Sequence, residues 1–380
     1  MQPRIAVAAI FKNELPYVLE WVAYYRCLGV DRIIIGDNVS DDGTSELLEA
    51  LDLAGIIDRL HAPRIGDTAP QAPCYRKIIE KYRDEMDLIL FVDADEFLVA
   101  TNTDNPIDQL RRLYSSTPDL GAVAINWRVF GSSGQHFQAP GLVLERFYRC
   151  SEPGHEKNCH IKTAVNPRKA GRMNIHECEL SKGRYYTPSG RVARFSNGAS
   201  FSPFTHDVDD SSMVINHYVI KSWQENMTRK CNKGSAAGSA KRQKGEAYFR
   251  SHDLNSCQWH APQALLKTVK QQMEDITTQL GRNTPYYHYG YGAANIDGDH
   301  VSGWAVSDYT GPIQVKILID GSHERITHVQ LPRPDVVRHG LSKQLECGFR
   351  TTLPSRHSPE KETIARIYGS SVFLNISQNR

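Results

Sequence analysis

Two carboxylates stand two residues apart in Asp93-Ala94-Asp95, directly after the apolar run 88–92. In an extended segment both side chains point to the same side, so they can share a divalent cation directly or through ribose and water. Oxygen ligands favour Mn2+ or Mg2+, ions that usually complete their shells with substrate phosphates. Alone, such a pair is more often a solvated turn. Two further polar clusters, Asn13-Glu14 and Asp37-Asn38, follow two other apolar runs, 5–11 and 32–35. Ligands of an open parallel sheet bind beyond the carboxyl ends of its strands, so three clusters at such ends share one rim. Asp37 ends its strand where a base or a ribose can be hydrogen-bonded. His217 closes the run Val214-Ile215-Asn216 and adds a nitrogen suited to a third metal ligand.

Other groupings carry less. The stretch 38–49 has a passing likeness to a calcium loop, but its first ligand would be Asn38 and a strand precedes it. Residues 41–43 therefore read as a turn with a helix cap. Cys150, Cys159, His160, His176 and Cys178 match no paired zinc spacing. The basic stretch 229–244 has no aromatic residue until Tyr248, which argues for a solvated segment, able to close over a diphosphate, rather than a nucleic-acid surface.

Holding such a rim requires a sheet covered on both faces. The continuous apolar runs 5–10, 32–35 and 88–92, with a weaker one at 56–60, read as buried parallel strands. Between them Leu15, Val18, Leu19, Val22 and Tyr25 recur at helical spacing, with Asn13 as the cap and Pro16 in the first turn. Leu47, Leu48 and Leu51 mark a second helix, and Tyr75, Ile78, Ile79 and Tyr82 a third. Strands alternating with helices imply a doubly wound α/β sheet. Beyond 121 the texture shifts to short strands at 122–127, 142–148 and 213–218, followed by a helix over 264–280. Residues 295–380 read as short strands, with Asp320-Gly321 as a turn between two of them, and form a small all-β, sandwich-like module. The predicted division is 1–281, a linker at 282–294, and 295–380.

The chain has 380 residues, 40% of them hydrophobic and 23% charged, the balance of a folded protein with room for two domains. Forty-five Lys and Arg against forty-three Asp and Glu leave a formal charge of +2, so no global field recruits nucleic acid. The run 5–11 is too short to span a bilayer and lacks the layout of a secretory signal. Eight scattered cysteines suggest reduced thiols and a cytoplasmic setting.

Several stretches carry a resemblance: "AIFKNELPYVLEWVAYYRCLGVDRIIIGDNVSDDGT", "QAPCYRKIIEKY", "LILFVDADEFL", "NWRVFGSSG", "HIKTAVNP" and "INHYVIKSWQENMTRK". In order and spacing they resemble nucleotide-sugar glycosyltransferases of the GT-A class, the family-2-like group that merges with glycosyltransferase family 92. The resemblance covers most of residues 4–235 and implies a GT-A, Rossmann-like, mostly parallel sheet. It implies that Glu14, Asp37 and Arg76 line a uridine pocket and that Lys221 lies near the diphosphate. Asp93 and Asp95 would be the DxD pair carrying metal and ribose, with His217 as a late metal ligand. The tail "VSGWAVSDYTGPIQVKILIDG" is similar to β-modules appended to bacterial glycosyltransferases. Inverting members usually carry an acidic pair after the DxD; none is clean here, and Glu177 is the best candidate for the base, ahead of Glu179, Asp207, Asp209 and Asp210.

The expected activity is metal-dependent transfer of a sugar from a UDP-sugar to a hydroxyl of a glycan or lipid-linked acceptor, with Mn2+ or Mg2+. The acceptor would lie among the loops of 130–210. Nucleic acid is not an expected partner; peripheral association with the inner membrane fits a lipid-linked acceptor. Two alternatives come from other classes. One is an inactive carbohydrate-binding protein, with Trp127 and the tyrosines of 286–291 stacking on sugars. The other is a nucleotidyltransferase, for which Lys12-Asn13-Glu14 offers no Gly-rich phosphate loop.

Overall fold

The computed structural model describes residues 2–378 apart from 41, 103, 140, 197, 232–243, 282–289, 308–311, 320–322, 354–362 and 368–373. The predicted turn at Asp320-Gly321, most of the basic stretch 229–244, Tyr286, Tyr287 and Tyr289 lie outside the described residues.

Nine strands make one mixed sheet: β1 (Ile5–Phe11), β2 (Arg32–Asp37), β3 (Asp58–His61), β4 (Leu88–Phe91), β5 (Glu96–Ala100), β6 (Leu120–Val129), β7 (Ile161–Val165), β8 (Arg184–Tyr186) and β9 (Met213–His217). Their spatial order is 3-2-1-4-7-6-9-5, with β8 attached to β6. Strands β3, β2, β1 and β4 run parallel, as the buried runs predict. β7 enters antiparallel between β4 and β6, and β9 lies parallel to β6 but antiparallel to β5.

The apolar runs are unbroken because helices cover both faces. Ile5, Val7 and Ala9 of β1 pack with α1 (Leu15–Cys27) and α2 (Thr44–Leu53). Ala6 and Ala8 face Tyr75, Ile78 and Tyr82 of α3 (Gln71–Tyr82). The long helix Gln263–Leu280 packs along α1 and joins the first core.

Local expectations were overturned in four places. Residues 142–148 do not form a strand. The two carboxylate oxygens of buried Glu20 take the N–H groups of Val143 and Leu144 at 2.8 and 3.1 Å, and so start a helical turn, Val143–Arg146. Asn13 does not cap α1; it has φ +53°, and the N–H groups of Asn13, Glu14 and Leu15 donate to Ser40, Thr44 and Asp42. The caps of α1 thus come from the turn after β2, where Asp42 also accepts from the N–H of Thr44. Asp93 and Asp95 do not share an extended segment: a turn closed by the Glu96 N–H on the Asp93 carbonyl carries them. Finally, the expected linker yields to strand from Gly290, since Gly290–Asp297 pairs along its whole length with His300–Ser307.

The C-terminal part holds two small sheets. The first orders Gly348–Thr352, His300–Ser307, Gly290–Asp297 and Asn375–Gln378; the second orders His323–His328, Gln314–Ile319 and Thr363–Ile367. Val315, Ile317 and Ile319 alternate inward and meet Ala294, Ile296, Val301 and Phe349 of the first sheet. This is the sandwich-like arrangement that the alternation predicts. Among the described residues no helix is long and apolar enough to cross a membrane. All eight cysteines are free thiols.

Candidate functional site

A cleft of about 460 Å³ opens beyond the carboxyl ends of β1, β2, β4 and β9. Asp93 and Asp95 from the turn after β4, Glu14 and Lys12 after β1, Asn38 after β2, and His217 at the end of β9 all line it. Strand register explains the last meeting. β9 pairs with β5 so that His217 stands opposite Glu96, beside Asp95.

Each carboxylate is fixed by its own partners. Asp93 accepts from Gln71 Nε2 at 2.7 Å and from the fully buried Lys162 ammonium at 2.9 Å. Burial would raise its pKa, but Lys162 prevails and holds it below the usual carboxylate range. Asp95 accepts from Lys230 Nζ at 2.6 Å, and its other oxygen lies 3.6 Å from His217 Nε2. Here too burial pushes upward, and the Lys230 ammonium outweighs it, so Asp95 is firmly ionised. Glu96 is the opposite case. Fully buried, it accepts the Asp93 N–H at 2.7 Å and lies 3.3 Å from Lys162. Burial, with Asp93 and Asp95 nearby, outweighs the lysine and pushes its pKa up to about 8. Burial lowers the His217 pKa despite the pull of Asp95, so the ring is neutral and its Nδ1 has no hydrogen-bond partner.

Lys230 reaches Asp95 from a single π-helical turn, Asn226–Lys230, a local widening common at functional sites. Lys244, Arg64 and Lys12 complete a basic rim, which suits a diphosphate. On the sheet side Trp127 lines the cleft, stacked on His160 with centroids 4.4 Å apart and tilted against His217 at 4.3 Å. His176 meets the Trp127 edge at 5.4 Å, and burial lowers the pKa of both His160 and His176. The two histidines thus surround an aromatic platform. Among the described residues no group of three or more His, Cys, Asp and Glu is preassembled for an ion.

Four of the predicted site residues are placed elsewhere. Asp37 is 1% exposed and fully used: Val39 N–H and Ser45 Oγ donate to one oxygen, and Arg59 donates twice to the other, at 3.0 and 2.7 Å. Its neighbour Asn38 lines the cleft instead, with its buried Oδ1 unpartnered. Arg76 lies on the exposed face of α3; residues 71, 75, 78 and 82 face the sheet, and position 76 is rotated away from them. Lys221 is 7% exposed, with its ammonium 4.2 Å from the Tyr17 ring, and does not line the cleft, although Asp95 and Glu14 both act on its charge. Glu177 turns away and accepts from Asn174 Nδ2 at 2.8 Å, while His176 beside it reaches the cleft. Nor do Glu179, Asp207, Asp209 and Asp210 line it.

Lys162 and Gln71 escaped the sequence reading; Tyr75 counted there only as part of a helix stripe, Glu96 only as the end of the acidic cluster after the fourth strand, and Lys230 only as part of the basic stretch 229–244. A lysine inside the apolar β7 and the i, i+4 pair Gln71/Tyr75 were signals in plain view, since a buried charge needs a partner.

The model of glycosyltransferase family 92 matches residues 5–250. A family 92 protein from Oryza sativa subsp. japonica is 26% identical over 223 residues, which cover 58% of this chain and 34% of that one. One from Arabidopsis thaliana is 25% identical over 241 residues, covering 59% and 40%. The chain thus spans well under half the length of these relatives. Among solved structures, S. aureus TarS aligns over 99% of this chain and 78% of its own, at 9% identity and a TM-score of 0.32. Glucosyl-3-phosphoglycerate synthase from Mycobacterium tuberculosis, in complex with Mn2+, UDP and glucosyl-3-phosphoglycerate, covers 33% and 44% at 17% identity and a TM-score of 0.25.

Proposed function

From the premise that the chain belongs to glycosyltransferase family 92, we propose that it transfers a sugar from a UDP-sugar to a hydroxyl of a glycan or lipid-linked saccharide. The observation that carries this reading is the meeting of Asp93, Asp95 and His217 with a lysine-rich rim in one cleft. As the sugar leaves, negative charge builds on the diphosphate. Lys12, Arg64, Lys230 and Lys244 are the cleft's own cations for that charge.

A divalent ion fits the residues present. Asp95 is ionised, His217 is neutral, and their facing atoms lie 3.6 Å apart, beyond a good hydrogen bond. These two would hold Mn2+ or Mg2+, with phosphate oxygens completing the shell. Asp93, already committed to Gln71 and Lys162, serves better toward ribose or an ion-bound water. When bound, the ion adds neutralisation of the leaving oxygen. Asn38 offers an acceptor for a base N–H, and Trp127 an apolar face for a sugar ring.

Calorimetric titration of UDP with and without MnCl2, together with hydrolysis of a UDP-sugar without acceptor, tests the reading. Mn2+-enhanced UDP binding and slow hydrolysis are expected. Preference for a nucleoside triphosphate would point to nucleotidyl transfer, and binding without any hydrolysis to an inert scaffold; either outcome overturns the proposal.

A further inference from the structure

A second cavity, about 390 Å³, lies between the first turns of α1, the loop that leads into the helical turn Val143–Arg146, and the C-terminal module. It is separate from the nucleotide cleft. Glu14 faces the cleft, whereas Pro16, Tyr17 and Glu20 face the cavity, so the start of α1 stands between the two. Its volume lies in the range of small-molecule sites.

Two polar atoms at this place are buried and unpartnered. Arg146 is 7% exposed and spends both terminal nitrogens on Glu225, at 3.0 and 2.9 Å, while its Nε–H has no acceptor. Gln138 gives its backbone N–H to Gln224 Oε1 at 2.9 Å, and its own buried Oε1 has no donor. An unsatisfied buried donor and an unsatisfied buried acceptor each cost the desolvation of that group, a cost that a ligand offering both functions removes. The aromatic rings of Phe137 and Tyr291 supply apolar faces on opposite modules.

Charge narrows the class. Glu225 neutralises Arg146 inside the cavity, which leaves the exposed Lys343, its ammonium 5.2 Å from the Phe137 ring centroid, as the remaining cation of the described lining. The oxygens of Glu20 are occupied by the backbone N–H groups of Val143 and Leu144, which leaves little for a cation. A hydroxyl both donates and accepts, and a sugar ring has an apolar C–H face for an aromatic ring. The geometry points to a subsite for one or two units of an uncharged saccharide, held by Gln138 and Arg146 and closed by the C-terminal module. Resting on the glycosyl-transfer reading, the inference gives that module a role: it grips the acceptor glycan away from the reacting hydroxyl.

The test uses the full chain and a panel of neutral di- to tetrasaccharides of glucose, galactose or N-acetylglucosamine, followed by saturation-transfer NMR and calorimetry. Two variants leave the nucleotide cleft untouched: Gln138→Leu removes the acceptor, and Gln344→Trp, at an exposed lining position, obstructs the cavity. At least one oligosaccharide should bind the wild type and lose tenfold or more in affinity in both variants, with UDP affinity unchanged. If no member binds, or binding survives both variants, the cavity holds solvent only and the inference falls. Loss of UDP binding by the wild type would instead sink the glycosyl-transfer reading.

Discussion

Replacing Glu20 with glutamine asks whether burial or hydrogen bonding sets the charge of a side chain that starts the helical turn Val143–Arg146. Glu20 is 4% exposed and accepts two backbone N–H groups, which favour the carboxylate, as does Arg146. Burial opposes them and prevails, pushing the pKa from 4.5 to about 7. The folded state therefore keeps a proton that the unfolded chain releases between pH 4.5 and 7. Over that window wild-type stability falls as pH rises, by about 1.4 kcal/mol per pH unit and roughly 3 kcal/mol in all. Glutamine cannot titrate, so the Glu20→Gln variant lacks this slope while sharing every other titration. Its stability relative to wild type should climb by roughly 3 kcal/mol from pH 4.5 to pH 7 and stay level above pH 8. A constant offset is expected as well, because the amide accepts one of the two N–H groups and presents its own N–H to the other. Urea unfolding of both proteins at four pH values, followed by circular dichroism, reads the difference. A flat difference would show that Glu20 titrates alike in both states. A fall with rising pH would show that the two N–H bonds beat burial, and either result refutes the reasoning.

Three further outcomes follow from the cleft. Asp95→Asn should keep the fold, since Asp95 lines an open cleft, yet abolish the Mn2+-dependent gain in UDP affinity; an undiminished gain in calorimetry would remove Asp95 from the ion. Asp37→Ala should lose roughly 3 kcal/mol of stability, because it orphans Arg59 and Ser45, and keep its UDP affinity, whereas Asn38→Ala should weaken UDP by about 1 kcal/mol at little cost in stability. The reverse pattern in paired melting and titration experiments would restore Asp37 to the base site. Arg76→Ala should change neither stability beyond about 0.5 kcal/mol nor turnover, as expected of an exposed side chain away from the cleft.

The alternation of apolar runs with helical stripes was enough to place β1, β2 and β4 and the three helices among them, because strands covered on both faces are nearly continuous apolar runs, whereas the edge strand β3, Asp58–His61, is mostly polar and only half-buried and was marked only by the weaker run 56–60. The same logic located the rim, since the first polar residues after such strands must stand at their carboxyl ends. Asp93, Asp95 and Glu14 were legible for that reason, and His217 because it ends an apolar strand. The resemblance in the order of motifs added the glycosyltransferase family, which composition and period alone do not specify.

Which rim residues face the cleft was decided only in three dimensions. Asp37 and Asn38 are adjacent in sequence and equally polar; Arg59, arriving from β3, claims Asp37 and leaves Asn38 to the cleft. Glu177 and His176 exchange places in the same way once Asn174 takes the carboxylate. The charge of the site is likewise tertiary: Lys162, 69 residues from Asp93, decides that Asp93 is ionised while Glu96, three residues along, is pushed toward neutrality. The turn at 143–146 belongs here too, an apolar run that sequence period reads as strand until Glu20 supplies the acceptors that start a helix. Hydrophobic periodicity is a property of neighbours along the chain and survives in one dimension. The partner of a buried charge comes from far along the chain, and only the folded structure names it.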